Sequence, residues 1–143
     1  MAGELVVGYD GSAGARAALA RAAELARELG CGLVVAFGYE PPAATAGETA
    51  DHRAALAQMG KGLVDEALAE IGGSGVEATA AVVDQRPAEG LARLAEQLQA
   101  RMIVVGTHGE RPLMAVVLGS TPYKLLHRSS VPVLVVPSPA STG

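Results

Sequence analysis

The sequence predicts an α/β protein: a parallel sheet covered by helices on both faces. Three observations predict it. Short aliphatic runs alternate with stretches of helical periodicity along the chain. Most of these runs are apolar at successive positions, as strands buried on both sides require. Turn and capping residues stand at the junctions between them.

Leu5-Val6-Val7-Gly8-Tyr9 reads as a short buried strand, and Asp10-Gly11-Ser12 breaks it as a turn and offers a helix cap. Ala18, Leu19, Ala22, Leu25, Ala26 and Leu29 recur at helical spacing, and Gly30 ends that helix. Leu33-Val34-Val35-Ala36-Phe37 is a second strand. Residues 40–50, with Pro41-Pro42 and small polar residues, read as a mobile loop. Leu56, Met59, Leu63, Ala67 and Ile71 mark a second amphipathic helix. Gly60 and Gly62 weaken it by about 1 kcal/mol each relative to Ala, and Gly72-Gly73-Ser74-Gly75 stops it. Val76 to Val83 alternates loosely as a third strand. Pro87 suits the start of a third helix carried by Leu91, Leu94, Ala95 and Leu98. Met102 to Val105 is a fourth strand. A fourth helix, capped by Ser120 or Thr121, runs to about Arg128, with Pro122 tolerated in its first turn. Residues 131–136 form a fifth strand that Pro137 ends.

The 143 residues suit one domain over 1–143, with 138–143 a flexible tail. Half the residues are hydrophobic, yet one is Phe and none is Trp, so the core is aliphatic. A net charge of −4 argues against a general nucleic-acid binder. Cys31 is the one cysteine and pairs with nothing internal; it reads as a small structural residue in a reducing compartment. No basic segment opens the chain, and no apolar run approaches the ~18 residues of a spanning helix. The expectation is a soluble cytoplasmic protein without a membrane partner.

Gly106-Thr107-His108-Gly109 directly follows the fourth strand, and Gly119-Ser120-Thr121 opens the fourth helix. Glycines after a buried strand allow a sharp turn and a close ligand approach. A helix start adds N–H donors and the positive end of a dipole. Together they suit an anion, most often a phosphate. Plain turn service is the alternative reading of the same glycines. Asp10, after the first strand, offers a carboxylate for ribose hydroxyls or for Mg²⁺ near phosphates, and equally reads as a turn and cap residue. Ligands of open α/β sheets bind beyond the C-terminal strand ends, where strand order reverses. If the first and fourth strands are neighbours, Asp10 and Gly106 face one crevice.

Other sites are missing from the sequence. No G-x-x-x-x-G-K-[ST] occurs, and no G-x-G-x-x-G follows the first strand. No HExxH or paired CxxC indicates a metal site. No catalytic base is identifiable, so no catalytic residue is assigned. His108 reads as a solvated loop residue, His52 and His127 as surface residues, and Tyr123 as packed on the sheet. An apolar last strand at a sheet edge invites pairing with a second chain, which makes residues 132–136 a homodimer candidate.

These residues resemble the universal stress protein family. Residues 106–121 match its nucleotide motif, G-x2-G-x9-G-[ST], and Val7-Gly8-Tyr9-Asp10-Gly11-Ser12 looks like its first strand and aspartate. Arg86-Pro87-Ala88-Glu89 and residues 130–136 resemble its segments after the third strand and at the last strand. The resemblance implies a Rossmann-like, five-stranded parallel sheet in the order 3-2-1-4-5, with ATP the ligand where the motif is kept. By position, Asp10 would hold ribose, with the backbone of Gly8 and Tyr9 beside the base. Phe37 and Val105 would line the adenine slot, and Gly106, Gly109, Gly119, Ser120 and Thr121 would hold phosphates and ribose. The family implies homodimers through the last strand and stress-linked regulation rather than metabolic catalysis. Glu110, where a basic residue is frequent, would repel a terminal phosphate, so ADP, AMP and cyclic AMP stand beside ATP. Arg111 next door would compensate, Pro112 stiffens the loop, and Gln85 stands where glycine is common. Two other readings are a weak Mg²⁺-dependent ATPase or nucleotidyl transferase in the same crevice, and a dimeric interaction module that binds no nucleotide.

Overall fold

The computed structural model describes residues 3–39, 46–107 and 119–138, with the backbone alone for 46–49. The elements are β1 (Leu5–Gly8), α1 (Ala13–Leu29), β2 (Leu33–Gly38), α2 (Ala46–Glu70), β3 (Ala78–Val83), α3 (Pro87–Leu98), β4 (Met102–Gly106), α4 (Ser120–Arg128) and β5 (Val133–Val136). They form one five-stranded sheet in the order β3-β2-β1-β4-β5, every pairing parallel. The chain runs outward from β1 to β3 on one side, then returns to place β4 on the other side of β1. The switch point therefore lies between β1 and β4, as the sequence required of a crevice holding both Asp10 and Gly106.

Strand alternation divides the core in two. Leu5, Val7 and Tyr9 of the first strand region, with Leu33, Val35, Phe37 and Tyr39 of the second, pack beneath α1 and α2. Val6, Val34, Ala36, Ile103 and Val105 face the opposite side and pack with Leu91 and Ala95 of α3 and Leu125 of α4. The central strands β1, β2 and β4 are mainly buried, whereas β3 and β5 occupy the edges and are partly exposed.

Local signals set the helix ends. Ser12 caps α1, its Oγ accepting from the Ala15 N–H, and Gly30 closes it at φ 68°. Pro87 opens α3 as the sequence suggested, but α3 ends on Gln99, a non-glycine at φ 53°. The N-cap of α4 is Gly119, with neither Ser120 nor Thr121 in that place. Glycine caps without a side chain because its backbone already suits the extended cap conformation.

Three further expectations change. Residues 46–50 are helical, not loop, because α2 begins at Ala46; residues 40–45 lie outside the described residues. Met59 is about half exposed, since the face of α2 that meets the sheet runs through Gly60, Val64 and Ala67, with Ile71 buried just past its end. Tyr123 is also exposed, at 58%, and makes an edge contact with His127 at 4.9 Å between ring centroids instead of packing on the sheet. Leu125 is the residue of α4 that fills the core. No helix of the described residues is long and apolar enough to cross a membrane.

Gly60 shows why the α2 face shifted. A Cβ there would run into the Phe37 ring, so the helix meets β2 at a position without a side chain. At Gly62 a Cβ would meet nothing within 4 Å. The two glycines are therefore opposite cases. Gly62→Ala is expected to raise stability by about 1 kcal/mol through helix propensity. Gly60→Ala is expected to lower it by roughly 1–3 kcal/mol through overpacking. Urea denaturation midpoints of the two variants check both signs, and equal effects would sink the packing account.

Candidate functional site

A crevice of about 500 Å³, open mouth included, lies over the C-terminal ends of β1, β2 and β4. Its lining is divided chemically. One part is apolar or side-chain-free: Gly8, Ala36, Gly38, Pro87, Leu91 and Val105. The other carries Asp10, Ser12, Gly106 and Thr121, with Ala15 and Pro122 beside them.

Asp10 is both a turn residue and an available carboxylate. Its Oδ1 accepts from the Ser12 N–H at 3.0 Å and the Ser12 Oγ–H at 2.6 Å. Those bonds hold the turn into α1, while Oδ2 takes no bond from the described residues. Gly11 completes the turn at φ 82°, a conformation that disfavours a side chain. The first turn of α1 is thus fixed to the rim of the crevice.

The wall at β4 depends on a contact between two glycines. A Cβ on Gly106 would lie 2.6 Å from the Gly14 carbonyl oxygen and 3.0 Å from Gly14 Cα. Gly106 lets the start of α1 sit against the end of β4, a packing role beside the phosphate role that the sequence suggested. The wall at α3 is built in the same way. A Cβ on Gly38 would fall 2.9 Å from Pro87 Cα and 3.0 Å from the Gln85 carbonyl oxygen, so β2 abuts the helix backbone. An exposed Arg53–Asp84 ion pair at 2.9 Å ties α2 to the turn before α3.

The structure brings Gly8, Tyr9, Asp10, Phe37, Val105, Gly106 and Thr121 together in the lining. Two of these present less than their whole side chain to it. The Tyr9 and Phe37 rings belong to the core beneath α1 and α2, and Phe37 stacks on Tyr39 with centroids 6.3 Å apart. Gly119 and Ser120 stand outside the lining. The Gly119 N–H is already bonded to the Thr107 carbonyl at 2.6 Å, which leaves Ser120 and Thr121 as the N–H donors of that helix start. Gly109 lies outside the described residues, as do His108, Glu110, Arg111 and Pro112.

Sequence reasoning missed Ser12, Ala15, Ala36, Gly38, Pro87, Leu91 and Pro122 in the lining. Gly38 and Pro87 carried a faint signal, a glycine ending one strand and a proline opening a helix. Ala36 and Leu91 carried none, being apolar residues in apolar patterns. Among the described residues no three His, Cys, Asp or Glu side chains gather as a metal site would.

The glycine contact and the cap give separable expectations. Gly106→Ala places a methyl against helix backbone that cannot swing aside, at a cost of roughly 1–3 kcal/mol. Ser12→Ala removes the α1 cap at about 1 kcal/mol. Chemical denaturation checks both, and a neutral Gly106→Ala would remove the packing role from that position.

No curated protein matches the sequence. Among solved structures, hypothetical protein MJ0577 is 21% identical, with a TM-score of 0.83 over 99% of this chain and 99% of its own. A universal stress protein in complex with cAMP is 26% identical, with a TM-score of 0.75 over 96% and 98%. A universal stress protein from Archaeoglobus fulgidus in complex with dAMP is 22% identical, with a TM-score of 0.69 over 93% and 96%. The family model described as "Universal stress protein family" matches residues 1–137. With the sheet order, the switch-point crevice and the glycine-bordered strand ends, that match places the chain in the universal stress protein family.

Proposed function

We propose that the chain binds an adenine nucleotide, ATP foremost, in the crevice at the β1–β4 switch point and acts as a nucleotide-dependent stress regulator. The observation that carries this reading is the division of the lining into an apolar part and a polar part with Asp10 between β1 and α1. A flat base suits the first and a ribose phosphate the second. Asp10 Oδ2 accepts ribose hydroxyls, and the Ser120 and Thr121 N–H groups at the start of α4 favour negative charge nearby. Hydrogen bonds to charged groups contribute about 1.5–3 kcal/mol each, enough in combination for micromolar binding near −8 kcal/mol. The nucleotide complexes of family relatives support the same ligand class. Mg²⁺ accompanies ATP in this reading.

The proposed role is binding without turnover. The one carboxylate of the described lining is Asp10, and the ribose takes its Oδ2 in this reading, so the described lining offers no second carboxylate to position a water. The reading includes a homodimer through residues 132–136. β5 lies at a sheet edge with all four residues partly exposed, and its other neighbour would be a second chain.

Melting of the protein with ATP, ADP, AMP and cyclic AMP tests the function. A ligand at 100 times its Kd should add about 2.7 kcal/mol. Asp10→Asn keeps an Oδ1 acceptor for the turn and removes the carboxylate charge. It should melt as wild type alone and lose about tenfold in affinity, roughly 1.4 kcal/mol. Failure of all four nucleotides to shift the melt, or full affinity in Asp10→Asn, would overturn the assignment. Light scattering should report a dimer, and Val135→Lys should return it to a monomer.

A further inference from the structure

The floor of the crevice comes from α3, outside the glycine motif. Gly8 and Leu91 both line the crevice, and they meet there. A Cβ on Gly8 would lie 2.8 Å from Leu91 Cδ1 and 3.2 Å from Val105 Cγ1, so not even a methyl group passes between strand and helix. Leu91 itself is buried.

The backbone that carries Leu91 is seated on the sheet through the turn before it, at Pro87 and Gly90. Gly38 abuts the backbone of Pro87, and a Cβ on Gly90 would stand 3.2 Å from Val83 Cγ1. Of the apolar part of the lining, Gly8, Ala36 and Gly38 offer almost no side chain, and Pro87 is held against β2 backbone. Val105 is fixed within the sheet opposite Val135. The depth available to a base is then set by one helix side chain.

We propose that Leu91 is a specificity-determining residue, closing the floor of the base slot and limiting it to an unsubstituted base. This rests on the adenine-nucleotide reading above. Shortening Leu91 deepens the slot and transfers preference to a base carrying an extra apolar group. The chemical class that the altered site takes is a nucleotide with a substituent on the purine ring.

The experiment compares wild type, Leu91→Ala, Leu91→Val and Leu91→Met by calorimetry. The probes are ATP, N6-benzyl-ATP, 2-methylthio-ATP and 8-bromo-ATP, with the melting transition of each variant recorded alone. Leu91→Ala should weaken ATP about tenfold and bind at least one substituted nucleotide about tenfold more tightly than wild type does. Leu91→Val should move the same way by a smaller factor, and it carries the test if Leu91→Ala does not fold. Leu91→Met, close in volume, should keep the wild-type ranking. A folded Leu91→Ala or Leu91→Val that keeps the wild-type ranking overturns the Leu91 assignment alone. Wild type that binds ATP in none of these assays overturns the nucleotide reading and this one with it.

Discussion

Close approach of helix starts to strand ends is the constraint on which the rest of the structure depends. It is met at glycine. Gly106 receives the first turn of α1 at Gly14, Gly38 receives α3 at Pro87, and Gly8 receives Leu91. With a side chain at Gly106 or Gly38, the helix start would have to shift off the sheet, and at Gly8 the Leu91 side chain would have to give way. The sheet edge above β1, β2 and β4 would then be a wider and looser opening. The interior tolerates such gaps poorly, since each lost contact along them forfeits dispersion and burial together.

The opposite face of the sheet completes the arrangement. The Phe37 ring turns away from Ala36 and Leu91, stacks on Tyr39 and is met by Gly60 of α2. Leu63 of the same helix lies beside Gly11, and Arg53 reaches Asp84. One helix thereby braces the turn after β1, the end of β2 and the turn after β3. The hydrogen bonds from Ser12 to Asp10 anchor α1 to the first of these. The apolar packing does most of this bracing, because an exposed ion pair such as Arg53–Asp84 contributes about 0–1 kcal/mol.

Much of the fold was legible because burial leaves periodic marks. β1, β2 and β4 are continuous aliphatic runs since both faces are covered, and α1 announces itself through Ser12, Gly30 and its alanine stripe. The errors lie where a partner from elsewhere decides the outcome. The apolar side of α2 could be drawn through Met59 or through Gly60, and Phe37 decides between them. Tyr123 has the composition of a core residue, yet α4 turns Leu125 inward in its place. In the site, Asp10 and Gly106 were legible as turn chemistry after strands. Ala36 and Leu91 were not, since an apolar residue in an apolar pattern looks the same over a crevice as in a filled core.

The sequence by itself determined the alternation of strands and helices, the helix-terminating glycines and the family. These are local or periodic properties, written in residues close together along the chain. The tertiary structure decided which glycines serve packing, which face of Phe37 is covered and where the crevice stops. Each of those depends on a distance between segments remote in sequence: Gly106 to Gly14, Phe37 to Gly60, and Gly8 to Leu91. A glycine codon records only that a side chain is absent; what comes close in its place is set by the folded neighbours.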